Sequence, residues 1–167
     1  MANIKPYAKK LWIIEGGFVN HPNDKGGATN HGVTIVTYRH FFPNATIDDL
    51  KNMSYEQYEM ILQKLFWDKW KASEIVNQSI AEMLVDWTYN SGSWGIKIPQ
   101  RILNVEQDGI VGNGTLKAVN STDGEAFFRR LKSARTDFYK GIVQKNPSQA
   151  VFFKGWINRI NSFNYIP

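Results

Sequence analysis

Apolar positions along this chain recur with helical spacing over most of its length. Tyr7, Ala8, Leu11, Trp12, Ile13 and Ile14 form a first apolar helical segment, which stops at Gly16-Gly17, a pair suited to ending a helix. Ala28 to Thr37 reads as a short strand with Val33, Ile35 and Val36 as its apolar residues. Tyr38 to Phe42 predicts a short helical turn ended by Pro43, and residues 47–50 predict another. Ser54 opens a stronger helix, because Ser54 and Gln57 make a capping-box pair and Tyr58, Ile61, Leu62, Leu65 and Phe66 share one face as far as about Trp70. A further helix spans about Ser79 to Ser91 with Ile80, Met83, Leu84 and Trp87 inward, and it sets Asp86 and Asn90 four apart on one face. Trp94 to Leu103 continues helically, with Pro99 as a kink or restart. The run DGIVGNG at 108–114 then reads as a turn with Ile110 and Val111 as an apolar peg. Asp123 caps a long helix to about Gln144 carrying Phe127, Phe128, Leu131, Phe138 and Tyr139, and Pro147 starts the last helix, ending near Phe163. The pattern is that of a mainly α (α+β) protein with a small β-hairpin region near its N-terminus.

A chain of 167 residues is long enough for one well-buried core and short for two independent domains. One compact unit is expected, with an N-terminal region at 1–95 and a C-terminal helical region at 96–167, acting as a monomer. The absence of cysteine leaves stability to packing and makes a thiolate zinc site impossible. A net charge of +5 favours an anionic partner, whether nucleic acid, anionic membrane or acidic wall polymer. The densest basic group, Arg129, Arg130, Lys132 and Arg135, lies on one long helix with no recognisable nucleic-acid motif, so specific nucleic-acid binding is not expected. No segment approaches the roughly 20 apolar residues of a membrane span. MANIKPYAKK is followed only by the short apolar run LWII, which does not make a signal peptide, so the expectation is a protein made in the bacterial cytoplasm.

The candidate chemistry sits between Glu15 and Thr34, EGGFVNHPNDKGGATNHGVT. Glu15 ends an apolar helix at the negative end of its dipole, where a cation is preferred locally. That position favours the neutral carboxylic acid, the form that donates a proton. A carboxylate ending the helix in water, near Lys9 or Lys10, is the plainer reading. Asp24 and Thr29 follow in a glycine-broken polar loop, where the backbone approaches a ligand closely. A carboxylic acid facing a second polar group is the arrangement of glycoside hydrolysis, in which one protonates the leaving oxygen while the other handles water or the developing cation. Asp24 alternatively closes a turn through its own hydrogen bonds. Six tryptophans add sugar-stacking platforms, with Trp12, Trp67, Trp70 and Trp156 on core faces and Trp87, Trp94 and, more weakly, Tyr38 and Tyr89 toward a substrate. His21, His31 and His40 near Asp24 raise a zinc amidase or peptidase as an alternative, without any compact zinc signature. No cofactor is called for.

EGGF, DKGGAT and GVT in this order resemble the signature of the glycoside hydrolase family 108 N-acetylmuramidases, which reads E-G-G-[YF], D-x-G-G-x-T and G-[IV]-[ST]. AEMLVDWTYNSG at 81–92 resembles that family's D-x-x-x-N-x-G helix, and DGIVGNGTLKAVN at 108–120 with FFKGWINRI at 152–160 resembles its C-terminal peptidoglycan-binding-type region. The resemblance implies a lysozyme-like fold that cuts the β-1,4 bond between N-acetylmuramic acid and N-acetylglucosamine. It implies Glu15 as catalytic acid, Asp24 and Thr29 as its helpers, and Asn90 as a substrate contact. The spacing of the three resembles the Glu, Asp, Thr set of phage-type lysozymes, with Thr29 one residue earlier. An endolysin of this kind acts on peptidoglycan glycan strands in the periplasm or wall once a holin or secretion machine breaches the membrane. A non-catalytic wall-binding or secretion factor on the same fold is the remaining alternative.

Overall fold

The computed structural model describes residues 1–21 and 27–167. The chain folds as two units, residues 3–67 and residues 68–167 together with residues 1–2.

In the first unit, α1 (Ile4–Ile14) begins where the Asn3 side chain accepts the Lys5 N–H at 2.9 Å. Its buried stripe is Ile4, Tyr7, Ala8 and Leu11, whereas Ile13 and Ile14 are exposed. Glu15 caps the helix by donating its N–H to Leu11 O at 2.9 Å, and Gly16 then takes a left-handed φ of +72°, which a residue with a Cβ rarely adopts.

A three-stranded antiparallel sheet follows, ordered β1 (Phe18–Val19), β2 (Thr29–Asn30) and β3 (Val33–Thr34). The continuous strand expected over Ala28–Thr37 is therefore corrected to a hairpin and a helix start. His31 and Gly32, at φ +46° and +78°, form a two-residue turn with both residues left-handed, the turn that matches strand twist. Thr34 then accepts the Thr37 N–H and opens α2 (Ile35–Phe41). α3 (Ile47–Lys51) carries a capping box from Thr46 and Asp49, and α4 (Tyr55–Leu62) carries the one anticipated from Ser54 and Gln57. After Leu62 the helix widens into a π turn over Gln63–Trp67. That turn shifts the register, so Trp67 is buried while Leu65 and Phe66 are only half-buried.

In the second unit, α5 (Gln78–Ser91) packs on α6 (Trp94–Ile102) at close range. A Cβ on Gly95 would lie 2.4 Å from Thr88 N, so only glycine admits this approach. This packing groups α5 with the C-terminal helices, and the division at 67/68 lies upstream of the 95/96 boundary read from the sequence. α7 (Asn113–Ser121), α8 (Gly124–Lys145) and α9 (Ala150–Asn161) complete the unit. Asp123 caps α8 by accepting the Ala126 N–H at 2.9 Å. The loop before α7 is held by buried Gln100, whose amide donates to Asp108, Ile110 O and Thr115 while its carbonyl accepts from Gly109 N. Val111 is the buried peg of that loop, and Ile110 is 68% exposed, which corrects half of the expected pair. Among the described residues no helix is long and apolar enough to cross a membrane.

Candidate functional site

Glu15 follows Leu11 by four residues, so it lies on the continuation of the buried stripe of α1. It is half-buried, at the point where the helix gives way to the left-handed Gly16. Thr29 is half-buried on β2, directly across from Val19 on β1 and Thr34 on β3. The hairpin that carries Thr29 is fastened on both sides by its turn-proximal residues. The Asn30 amide donates to Leu50 O at 2.9 Å and Lys51 O at 3.1 Å at the end of α3. The His31 ring stacks on Trp12 of α1 with 3.4 Å between centroids and approaches Trp12 O at 2.7 Å. Glu15 and Thr29 thus belong to one unit, joined through α1 and the hairpin. Asp24 lies outside the described residues.

Tyr38 is 3% exposed, and its hydroxyl donates to Gln57 at 3.1 Å. Burial raises its pKa, with the Gln57 bond opposing and the Asp49 charge reinforcing. A side chain so enclosed braces α2 against α4. A concavity of about 850 Å³ runs between α1 and α4 and is lined by Trp12, Ile13, Tyr55, Met60 and others, not by Glu15. Burial and the Glu59 carboxylate, which accepts a hydrogen bond from its hydroxyl, push Tyr55 up to about 12.

In the other unit the Asp86–Asn90 face has two different fates. Asp86 is fully buried and clamped by two arginines: Arg135 Nη2 donates to Oδ2 at 2.7 Å and Arg159 Nη2 to Oδ1 at 2.8 Å. Burial alone would raise the Asp86 pKa, but the charges and hydrogen bonds of Arg135 and Arg159 outweigh it and hold the carboxyl below the usual range. Asp86 is accordingly a structural tie between α5, α8 and α9 rather than a cleft-lining group. Asn90 is exposed, and its amide donates back to Asp86 O at 2.9 Å. Trp87 is fully buried, with its indole N–H unpartnered among the described residues, so its ring faces protein. Trp94 is 51% exposed, tilted against Phe138 and covered on one side by the Lys97 ammonium. Tyr89 lies under the Arg159 guanidinium. Trp12 and Trp156 are half-buried rather than core, whereas Trp67 and Trp70 are fully buried.

The basic group on α8 is split by the fold, because Arg135 is fully buried while Arg129 and Arg130 are exposed. The signal for this was present: Arg135 stands in the four-residue stripe of Leu131 and Tyr139, both buried. Among the described residues no group of three His, Asp or Glu side chains comes together as a metal set. His31 is engaged by Trp12, and His40 meets the edge of Phe41.

Residues 8–92 match the model of the glycosyl hydrolase 108 family, and residues 94–161 match that of a predicted peptidoglycan domain. The solved structure of Brucella abortus SagA is similar, with a TM-score of 0.77 and 27% identity over 96% of this chain and 92% of that one. No curated relative matches the chain.

Proposed function

Since the chain belongs to glycosyl hydrolase family 108 and is a glycoside hydrolase of the peptidoglycan-degrading type, we propose that it is an N-acetylmuramidase with Glu15 as its general acid. The observation that carries the proposal is the placement of Glu15. Glu15 is a half-buried residue at the end of the packed stripe of α1, in the same unit as the hairpin bearing Thr29, within the segment that matches the family. On a mainly α, lysozyme-like fold, the Glu15 carboxyl gives its proton to the oxygen that links muramic acid C1 to glucosamine C4. The C1–O bond breaks, positive charge develops on the muramic ring, and water adds to C1, leaving a reducing-end N-acetylmuramic acid. Asp24 and Thr29 serve the developing cation and the water. Asn90 and Trp94 are the substrate contacts of the second unit, where an exposed indole face suits the apolar side of a pyranose.

The wall polymer also suits the net charge of +5, because it is anionic. Delivery to it is endolysin-like in this reading, through a holin-type pore or a secretion machine.

Mass spectrometry of digested peptidoglycan tests the bond. Reducing-end muramic acid is expected; freed peptides point to an amidase and anhydro-muramic acid to internal attack. Glu15→Gln tests the acid. The amide conserves shape and cannot donate the proton, so turnover falls by about 10²–10⁴ while the melting temperature holds. Lysis within a few-fold of wild type refutes the role of Glu15.

A further inference from the structure

The helical ladder of α1 ends when Glu15 N–H bonds to Leu11 O. The next carbonyl, Trp12 O, belongs to the last turn, whose acceptors have no helical donor left to them. His31 supplies one from outside, with Nδ1 2.7 Å from Trp12 O. A carbonyl oxygen only accepts, so Nδ1 carries the proton. The same ring lies on the Trp12 indole, with centroids 3.4 Å apart and planes 15° apart, and Tyr58 packs across both. To reach this position His31 holds φ at +46°, a left-handed conformation that carries a steric cost for a residue with a Cβ. Glycine would fill the same turn without that cost. The side chain therefore has work beyond making the turn.

The geometry points to His31 as a positioning residue. It fastens the last turn of α1, which carries Glu15 three residues after Trp12, to the turn of the hairpin, which carries Thr29 two residues before His31. This inference rests on the assignment of Glu15 as acid. The hairpin's other fastening, Asn30 to Leu50 O and Lys51 O, fixes it to α3 but leaves α1 untouched. The His31 bond ties the helix end that carries the acid directly to the hairpin, and sub-ångström placement of catalytic groups is what turnover depends on.

Two variants separate the donor from the turn. His31→Asn keeps a nitrogen at the same number of bonds from Cα, tolerates left-handed φ and still donates to Trp12 O. His31→Gly keeps the turn, relieves its strain and removes the donor. Turnover on soluble peptidoglycan fragments is measured well below each variant's melting temperature, beside Glu15→Gln. The expected result is a kcat within about threefold of wild type for His31→Asn and a fall of about tenfold or more for His31→Gly, with KM little changed in both. In the wild-type protein, ¹⁵N-resolved NMR of the imidazole should find the proton on Nδ1. A proton on Nε2 alone, equal losses in both variants, or full kcat in His31→Gly beside an inactive Glu15→Gln overturns the positioning role. Full activity in Glu15→Gln instead refutes the acid assignment, and with it the catalytic purpose of the bond.

Discussion

Replacing Asp86 by Asn tests the largest electrostatic commitment in the second unit. Asp86 and Arg135 are both fully buried, and Arg159 is 17% exposed at its side chain. The amide keeps the size of the carboxylate and removes its charge, which leaves the Arg135 guanidinium enclosed by protein with no counter-charge. Removing one partner of a buried pair costs about 3–5 kcal/mol, because the surviving charge keeps its desolvation penalty. For a chain of this length about 1 kcal/mol moves the melting temperature by about 2–4 °C, so the loss is roughly 6–20 °C. Arg159 has a route to solvent and adds little to this figure. The effect has a defined pH dependence. Because the folded-state pKa of Asp86 is lowered, its contribution is fully present above the unfolded value, about 3.9, and is lost as pH falls through the folded value. Calorimetric melting of wild type and Asp86→Asn should therefore show a wide gap at pH 6 that narrows toward pH 2. Removing both charges as Asp86→Leu with Arg135→Met should recover much of the loss, since an apolar pair of similar volume carries no desolvation penalty. Melting of Asp86→Asn within about 2 °C of wild type at pH 6 refutes the reasoning.

Gly95→Ala places a methyl 2.4 Å from Thr88 N, a backbone atom that cannot swing aside, so α5 and α6 must separate; urea unfolding should show a loss of at least about 1–3 kcal/mol. Trp94→Ala removes a half-exposed ring and should leave stability within about 1 kcal/mol while raising KM for peptidoglycan; sedimentation with insoluble wall material reads the binding directly, and unchanged KM removes Trp94 from the contact set.

What was legible in the sequence is local. The capping box at Ser54, the N-cap at Asp123, the glycine stop after Glu15 and the inward face of α5 each depend on groups within four residues of one another, so residue type and spacing determine them. The acid candidate was legible for the same reason, as a carboxylate at a helix end beside a glycine. Even a local pattern misleads where two solutions share it. Ala28–Thr37 is β-branched enough for a strand, and only the left-handed pair His31-Gly32 and the Thr34 cap divide it into a hairpin and a helix.

The tertiary structure alone decided the fate of residues whose partners are distant in the chain. Asp86 meets Arg135 and Arg159 across 49 and 73 residues, and nothing in the spacing of Asp86 and Asn90 distinguishes a buried tie from an exposed contact. Trp87 and Trp94 flank the same motif, yet one is enclosed and the other 51% exposed, because α6 packs onto α5 at Gly95. Periodicity determined which side of each helix is apolar. Which polar group went inside with it depended on whether a complementary charge arrived from another helix, and that is settled only when the helices pack.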